Sequence, residues 1–110
     1  MRKVILGNLL FHDVRLSADN TVSCSSCHGL NIGGVDNKQF SEGVGGQFGG
    51  VTAPSVYNAH YNFVQFWDGR AATLADQAAG PPLNPVEMAC KSFDETCEKL
   101  NADAAFSKAF

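Results

Sequence analysis

Between Arg2 and Phe11 the apolar side chains Ile5, Leu6, Leu9 and Leu10 recur at helical spacing, which predicts a short amphipathic helix followed by a polar turn over Ser17 to Asn20. The periodicity then disappears. Eight of the eleven glycines fall between Gly29 and Gly50, and an ordered loop of that length in a small domain is expected to serve function. Thr52-Ala53-Pro54 has the cap-then-proline form of a helix start and predicts a short helix over 54–59. An aromatic cluster (Tyr61, Phe63, Phe66, Trp67) leads into a turn at Asp68-Gly69. Thr73-Leu74-Ala75-Asp76 predicts a capped helix that stops before Gly80-Pro81-Pro82, and Asn84-Pro85-Val86-Glu87 repeats the order of cap, proline and acid. Ser92 opens the last helical region, which reaches Leu100 and resumes over 103–110. No segment alternates as a strand would and no repeat is visible, so the expected fold is all-α with a long glycine-rich loop.

Length and composition narrow this picture. The 110 residues make one domain, and folding a chain this short buries only roughly 60–70 per cent of the surface exposed when unfolded. Hydrophobic residues are 45 per cent of the chain, but many are alanine, so the polypeptide alone is expected to be thinly cored. A formal charge of −3 with scattered acids gives no footprint for nucleic acid or an anionic membrane. The first apolar run is broken by Gly7-Asn8 and is far too short to span a bilayer, and no signal peptide is visible.

The strongest chemical signal is Cys24-Ser25-Ser26-Cys27-His28. Two thiols three residues apart can form thioethers with both vinyl groups of a haem, and the adjacent imidazole reaches the iron. Zinc would need two more ligands, and Cys90 with Cys97 do not resemble a usual second pair. A thioredoxin-like dithiol would need strands around it. Covalent haem attachment takes place outside the cytoplasm, so an export signal ahead of Met1 is expected. Cys90 and Cys97 are then candidates for a disulfide. On one continuous helix their Cα atoms would be about 10.5 Å apart, too far to bridge, so a disulfide requires Cys90 to lie in the loop before that helix.

A single haem leaves open what fills the sixth position on iron. Met88, sixty residues after His28, lies where electron-transfer cytochromes keep a thioether ligand. Its neighbour Glu87 offers the opposite reading, a carboxyl that moves the proton needed for heterolytic peroxide cleavage. Helix capping after Asn84 would equally explain Glu87.

Several stretches together resemble the bacterial di-haem cytochrome c peroxidases and their MauG relatives. They are Leu16 through His28, Gly33-Gly34-Val35-Asp36, Ala53 through Ala59, Gln65-Phe66-Trp67-Asp68-Gly69-Arg70-Ala71, Gln77-Ala78, Gly80-Pro81 and Asn84 through Met88. The resemblance spans nearly the whole chain and corresponds to the family's amino-terminal, peroxidatic haem domain, a cytochrome c-like fold. It implies one haem c held by Cys24, Cys27 and His28, with His28 as the proximal ligand. It also implies Glu87 and Gln77 as the distal acid/base and positioning pair, and Trp67 on the electron path between two haems. Met88 becomes a packing residue. The expected activity is reduction of hydrogen peroxide to water in the periplasm, with electrons from a small cytochrome or cupredoxin. The alternatives are MauG-like oxidation of a protein substrate, or a plain electron carrier with His28 and Met88 as ligands.

Two departures from the family pattern matter. Many relatives carry in the glycine-rich loop a histidine that ligates and blocks the peroxidatic iron; this chain has Val44, which cannot. A haem not held shut by this loop is expected, with His60 and His12 read as surface or core histidines. At Val51-Thr52 relatives commonly have Arg-Asn, the Asn helping to hold calcium between domains, so calcium is not expected here. A second Cys-x-x-Cys-His motif is absent, so the second haem domain is expected elsewhere in a parent protein, with Phe106 to Phe110 resembling the end of the first domain.

Overall fold

The computed structural model describes residues 1–110 and is helical, with no strands. The five helices are α1 (Arg2–Phe11), α2 (Cys24–Cys27), α3 (Leu74–Ala78), α4 (Phe93–Asn101) and α5 (Ala104–Ala109), joined by loops that carry single 3-10 turns. None is long and apolar enough to cross a membrane.

The helix starts follow local chemistry. At α3 the Thr73 and Asp76 side chains form a reciprocal capping box. Ser92 Oγ accepts the Glu95 N–H (3.2 Å) to open α4, and Asp103 accepts from Ala105 and Phe106 to open α5. Two predicted elements differ. Residues 54–59 are not a helix: Ser55 Oγ donates to the Gly33 carbonyl (2.6 Å) and Val56 N–H to the Gly34 carbonyl (3.3 Å), so this segment lies extended against the Gly33-Gly34 turn. A single 3-10 turn, Ala59–Tyr61, follows it. Nor does Asn84 open a helix. Its side chain accepts from Val86 N–H, its carbonyl accepts from Glu87 and Ala89, and Ala89 turns the chain away at a φ of 57°.

The carboxy-terminal helices are stapled to the segment that leads into the cysteine motif. Arg15 pairs with Asp13 (2.6 Å) and Asp103 (2.9 Å) and lies over the Phe106 ring at 5.3 Å. Lys99 Nζ donates to the carbonyls of Ser17 and Ala18. The wholly buried Ser17 hydroxyl donates to Val14 and accepts from the amides of Thr21 and Val22, which shapes the approach to α2. Cys90 does lie in the loop before α4, but it is buried and donates to the Leu16 carbonyl (3.2 Å), whereas Cys97 is exposed on α4. Both are free thiols, not a disulfide.

The core is as thin as the composition implied. Only 11 of 110 residues are buried, and Ala71, Met88, Cys90 and Phe106 are the apolar ones, while α1 buries none of its side chains.

Arg15 holds the Asp13 carboxyl below the ordinary range of about 3.9. A depressed folded-state value contributes stability above the unfolded value, lost as pH falls through the folded one. Asp13→Asn is therefore expected to lower the urea midpoint at pH 7, by roughly 1–2 kcal/mol of stability. At pH 2.5 the difference should shrink towards zero; an undiminished difference would refute the ion-pair account.

Candidate haem site

The cysteine motif forms α2, one short turn, entered through Ser23, whose N–H donates to Ser26 Oγ (3.0 Å). His28 ends it with a non-helical backbone, so the imidazole leaves the helix beside the two thiols. Its Nδ1 lies 3.1 Å from the Gly34 carbonyl. A carbonyl can only accept, so Nδ1 carries the proton and Nε2 is left as a bare lone pair, the state in which an imidazole binds a metal. Gly34 is at a φ of 74°, and a Cβ there would stand 3.0 Å from the Val56 amide nitrogen and 2.9 Å from Val56 Cγ2. Only glycine fits between the His28 ring and the extended 52–56 segment.

Glu87 lies half-buried on the turn after Asn84. The capping explanation fails for its side chain: Asn84 makes the cap bonds, and Glu87 contributes its backbone to them and not its carboxyl. Burial pushes the Glu87 carboxyl above its ordinary value, while the Arg70 charge pulls the other way, as a protonated His28 would. Burial also raises both Cys24 and Cys27, with the Glu87 charge adding to each. The acid, the imidazole and both thiols thus share one electrostatic neighbourhood.

Gln77 lies half-buried on α3, which ends against the 3-10 turn Pro81–Leu83. Arg70 stacks on the Phe66 ring (3.5 Å to the centroid) and pairs with Asp68 (3.0 Å). The rim of that ring fits against Gly80, where a Cβ would meet Phe66 Cζ at 3.2 Å and the Gln77 carbonyl at 3.3 Å. Trp67 is not a core aromatic: it is 68% exposed, and its indole N–H donates to the Thr52 carbonyl (2.8 Å). Thr52 Oγ1 donates to the Gln39 carbonyl, so one Thr52 oxygen serves the glycine-rich loop and the other the indole. Met88 is 3% exposed, as a packing residue would be, and His12 and His60 are exposed. Val44 lies on the Glu87 turn, its N–H donating to the Glu87 carbonyl (2.8 Å).

The residues fit a covalent haem. Two thiols occupy one turn, an imidazole offers a free Nε2, and the polypeptide supplies little core of its own. Cys24 and Cys27 would hold the porphyrin edge and His28 the iron. Of the residues that shape this neighbourhood, Gly34 and Arg70 show in the sequence only as parts of the Gly33-Gly34-Val35-Asp36 and Phe-Trp-Asp-Gly-Arg stretches.

Fold and site together define an all-α haem-binding domain of the c type. The profile of the di-haem cytochrome c peroxidases matches residues 1–110, and the chain belongs to that family. It is 59% identical over 109 residues to the cytochrome c peroxidase Ccp of Escherichia coli (strain K12), covering 99% of this chain and 23% of that one. It is 52% identical over 97 residues to the cytochrome c551 peroxidase of Nitrosomonas europaea, covering 88% and 28%. The methylamine utilization protein MauG of Methylorubrum extorquens is 37% identical over 108 residues, covering 98% and 30%. Among solved structures, a MauG-like protein associated with microbial copper homeostasis superposes with a TM-score of 0.91 at 32% identity, covering 99% of this chain and 33% of that one. The chain thus spans 23–33% of the length of these relatives.

Arg70→Gln removes the cation that opposes the burial of Glu87 while keeping a planar amide over Phe66. The Glu87 carboxyl is expected to titrate at a higher pH than in the wild type, followed by infrared through the carboxyl band that Glu87→Gln deletes. An unmoved or lowered midpoint would show that Arg70 does not act on this acid.

Proposed function

We propose that residues 1–110 are the peroxidatic haem domain of a periplasmic di-haem peroxidase that reduces hydrogen peroxide to water. The observation that carries this reading is Glu87, a carboxyl drawn into the neighbourhood of His28 and the two thiols, raised by burial and free of any capping duty. Reduction consumes two electrons and two protons per peroxide and yields two waters. When bound, the haem supplies the iron that takes up peroxide and the redox centre that passes on electrons.

The polypeptide handles protons and position. His28, its ring oriented by the Gly34 carbonyl, would hold the iron through its free Nε2. With haem bound, Glu87 would take a proton from one peroxide oxygen and return it to the other, a task suited to a carboxyl whose pKa is raised by burial. Gln77, half-buried on α3, orients the peroxide with its side-chain amide. Val44 can supply no ligand, so with haem bound this position would leave the iron open and no reductive unlocking of such a bond would be needed.

Electrons come from a small cytochrome or cupredoxin through a second haem domain elsewhere in the parent polypeptide. The exposed indole of Trp67 is suited to relay them inward. Without that supply the domain alone turns over slowly. A MauG-like oxidation of a protein substrate uses the same scaffold, and the features that would separate the two lie outside residues 1–110.

Natively matured protein should carry one covalent haem by mass spectrometry, lost in a Cys24→Ser, Cys27→Ser double variant. Glu87→Gln should lower the bimolecular rate with peroxide by about 10²–10⁴ while haem content stays the same. A ferric spectrum with a sulfur-to-iron charge-transfer band would instead identify the electron carrier with Met88 as sixth ligand. A high-spin spectrum with ready cyanide binding agrees with the peroxidase.

A further inference from the structure

The glycine-rich loop is fastened to the Glu87 turn at three places. Val44 N–H donates to the Glu87 carbonyl (2.8 Å), and Gln47 Nε2 donates to the Pro85 carbonyl (3.3 Å). At the third place, Gly43, the backbones touch: a Cβ there would stand 2.1 Å from the Val86 carbonyl oxygen, 2.6 Å from that of Glu87 and 2.8 Å from Glu87 Cα. Gly43 has a φ of −103°, open to any residue, so glycine is required there for space and not for conformation. The loop is also closed on itself, with Gly43 N–H donating to the Gln47 carbonyl (2.7 Å) and an isolated bridge joining Glu42 and Phe48. Gln47 therefore both shuts the loop and reaches the turn.

From these contacts we propose that the 43–47 loop is a brace for Glu87, with Gly43 and Gln47 as positioning residues. The direction of a side chain is set by its Cα–Cβ bond, and hence by the backbone that carries it. Asn84 secures the turn from within; the loop secures it from outside, at Pro85 and Glu87. If the brace loosens, the carboxyl is free to swing away from the position where it meets peroxide. A misplacement of about 1 Å in a positioned group can cost on the order of 10²-fold in rate. The proposal rests on the reading of Glu87 as the proton carrier.

The test uses haem-loaded full-length protein with Gly43→Ala, Gln47→Ala, Glu87→Gln and the double variant Gln47→Ala/Glu87→Gln. Two quantities are measured: hydrogen exchange of the Val44 amide, and the bimolecular rate with hydrogen peroxide. Gln47→Ala, at an exposed position, should speed Val44 exchange by about threefold to fivefold, the scale of one modest hydrogen bond, and slow the peroxide reaction by a similar factor. Gly43→Ala should slow it more than about tenfold. If that variant does not fold, Gln47→Ala decides alone. Because the brace acts through the acid, Gln47→Ala should cost nothing further in the Glu87→Gln background. An unchanged Val44 exchange, a peroxide rate unaffected by a loosened loop, or an additive loss in the double variant would each overturn the brace. A Glu87→Gln protein that reacts as fast as the wild type would instead remove the proton-carrying role on which the brace depends.

Discussion

The hydrogen bond between His28 Nδ1 and the Gly34 carbonyl is the contact on which the site depends. It decides which ring nitrogen carries the proton and which is free, and it ties the ring to a turn that no side chain at position 34 could occupy. The same carbonyl accepts from Val56, so the chain after the glycine-rich loop is held by the group that orients the imidazole. An imidazole placed this way owes little to α2, which is only one turn long. It owes more to tertiary bonds from segments that have no regular secondary structure.

Around that contact the molecule is built from loops anchored to short capped helices. Arg15 and Lys99 bind α4 and α5 to the 13–18 segment, and Ser17 passes that order on to the approach of the cysteine motif. Few side chains are buried, and 18 large hydrophobic ones are exposed, so rigidity comes chiefly from polar contacts made at close quarters. Such a fold gains much from a flat apolar cofactor bonded to two of its side chains. The Glu87 turn follows the same logic: Glu87 belongs to no helix, and the turn that carries it is held by Asn84 from within and by the glycine-rich loop from outside.

Local signals were legible wherever a few neighbouring residues settled the matter. The periodicity of Arg2 to Phe11, the Thr73/Asp76 capping box and the Ser92 and Asp103 caps each give the helix expected, because cap chemistry acts within three residues. Thr52-Ala53-Pro54 and Asn84-Pro85 carry the same marks and give no helix. In the first, Ser55 and Val56 bond to Gly33 and Gly34, residues more than twenty positions away; in the second, the chain closes back on Pro81 and Pro82. A cap signal shows that a helix can start, and competing long-range bonds decide whether one does. Cys90 and Cys97 make the same point: the loop position needed for a bridge is present, but one thiol is buried against Leu16 and the other faces outward.

By itself the sequence determined the all-α class, the Cys-x-x-Cys-His turn, the family, and the absence of an imidazole at position 44, because each is a matter of residue identity at fixed spacing. Tertiary structure alone decided that Trp67 lies at the surface, that Gly43 has no room for a methyl group, and that the Glu87 carboxyl is half-buried and takes no part in the cap bonds of its turn. Those outcomes depend on which backbone meets which across dozens of residues. Spacing along a chain carries no record of such encounters until the chain is folded.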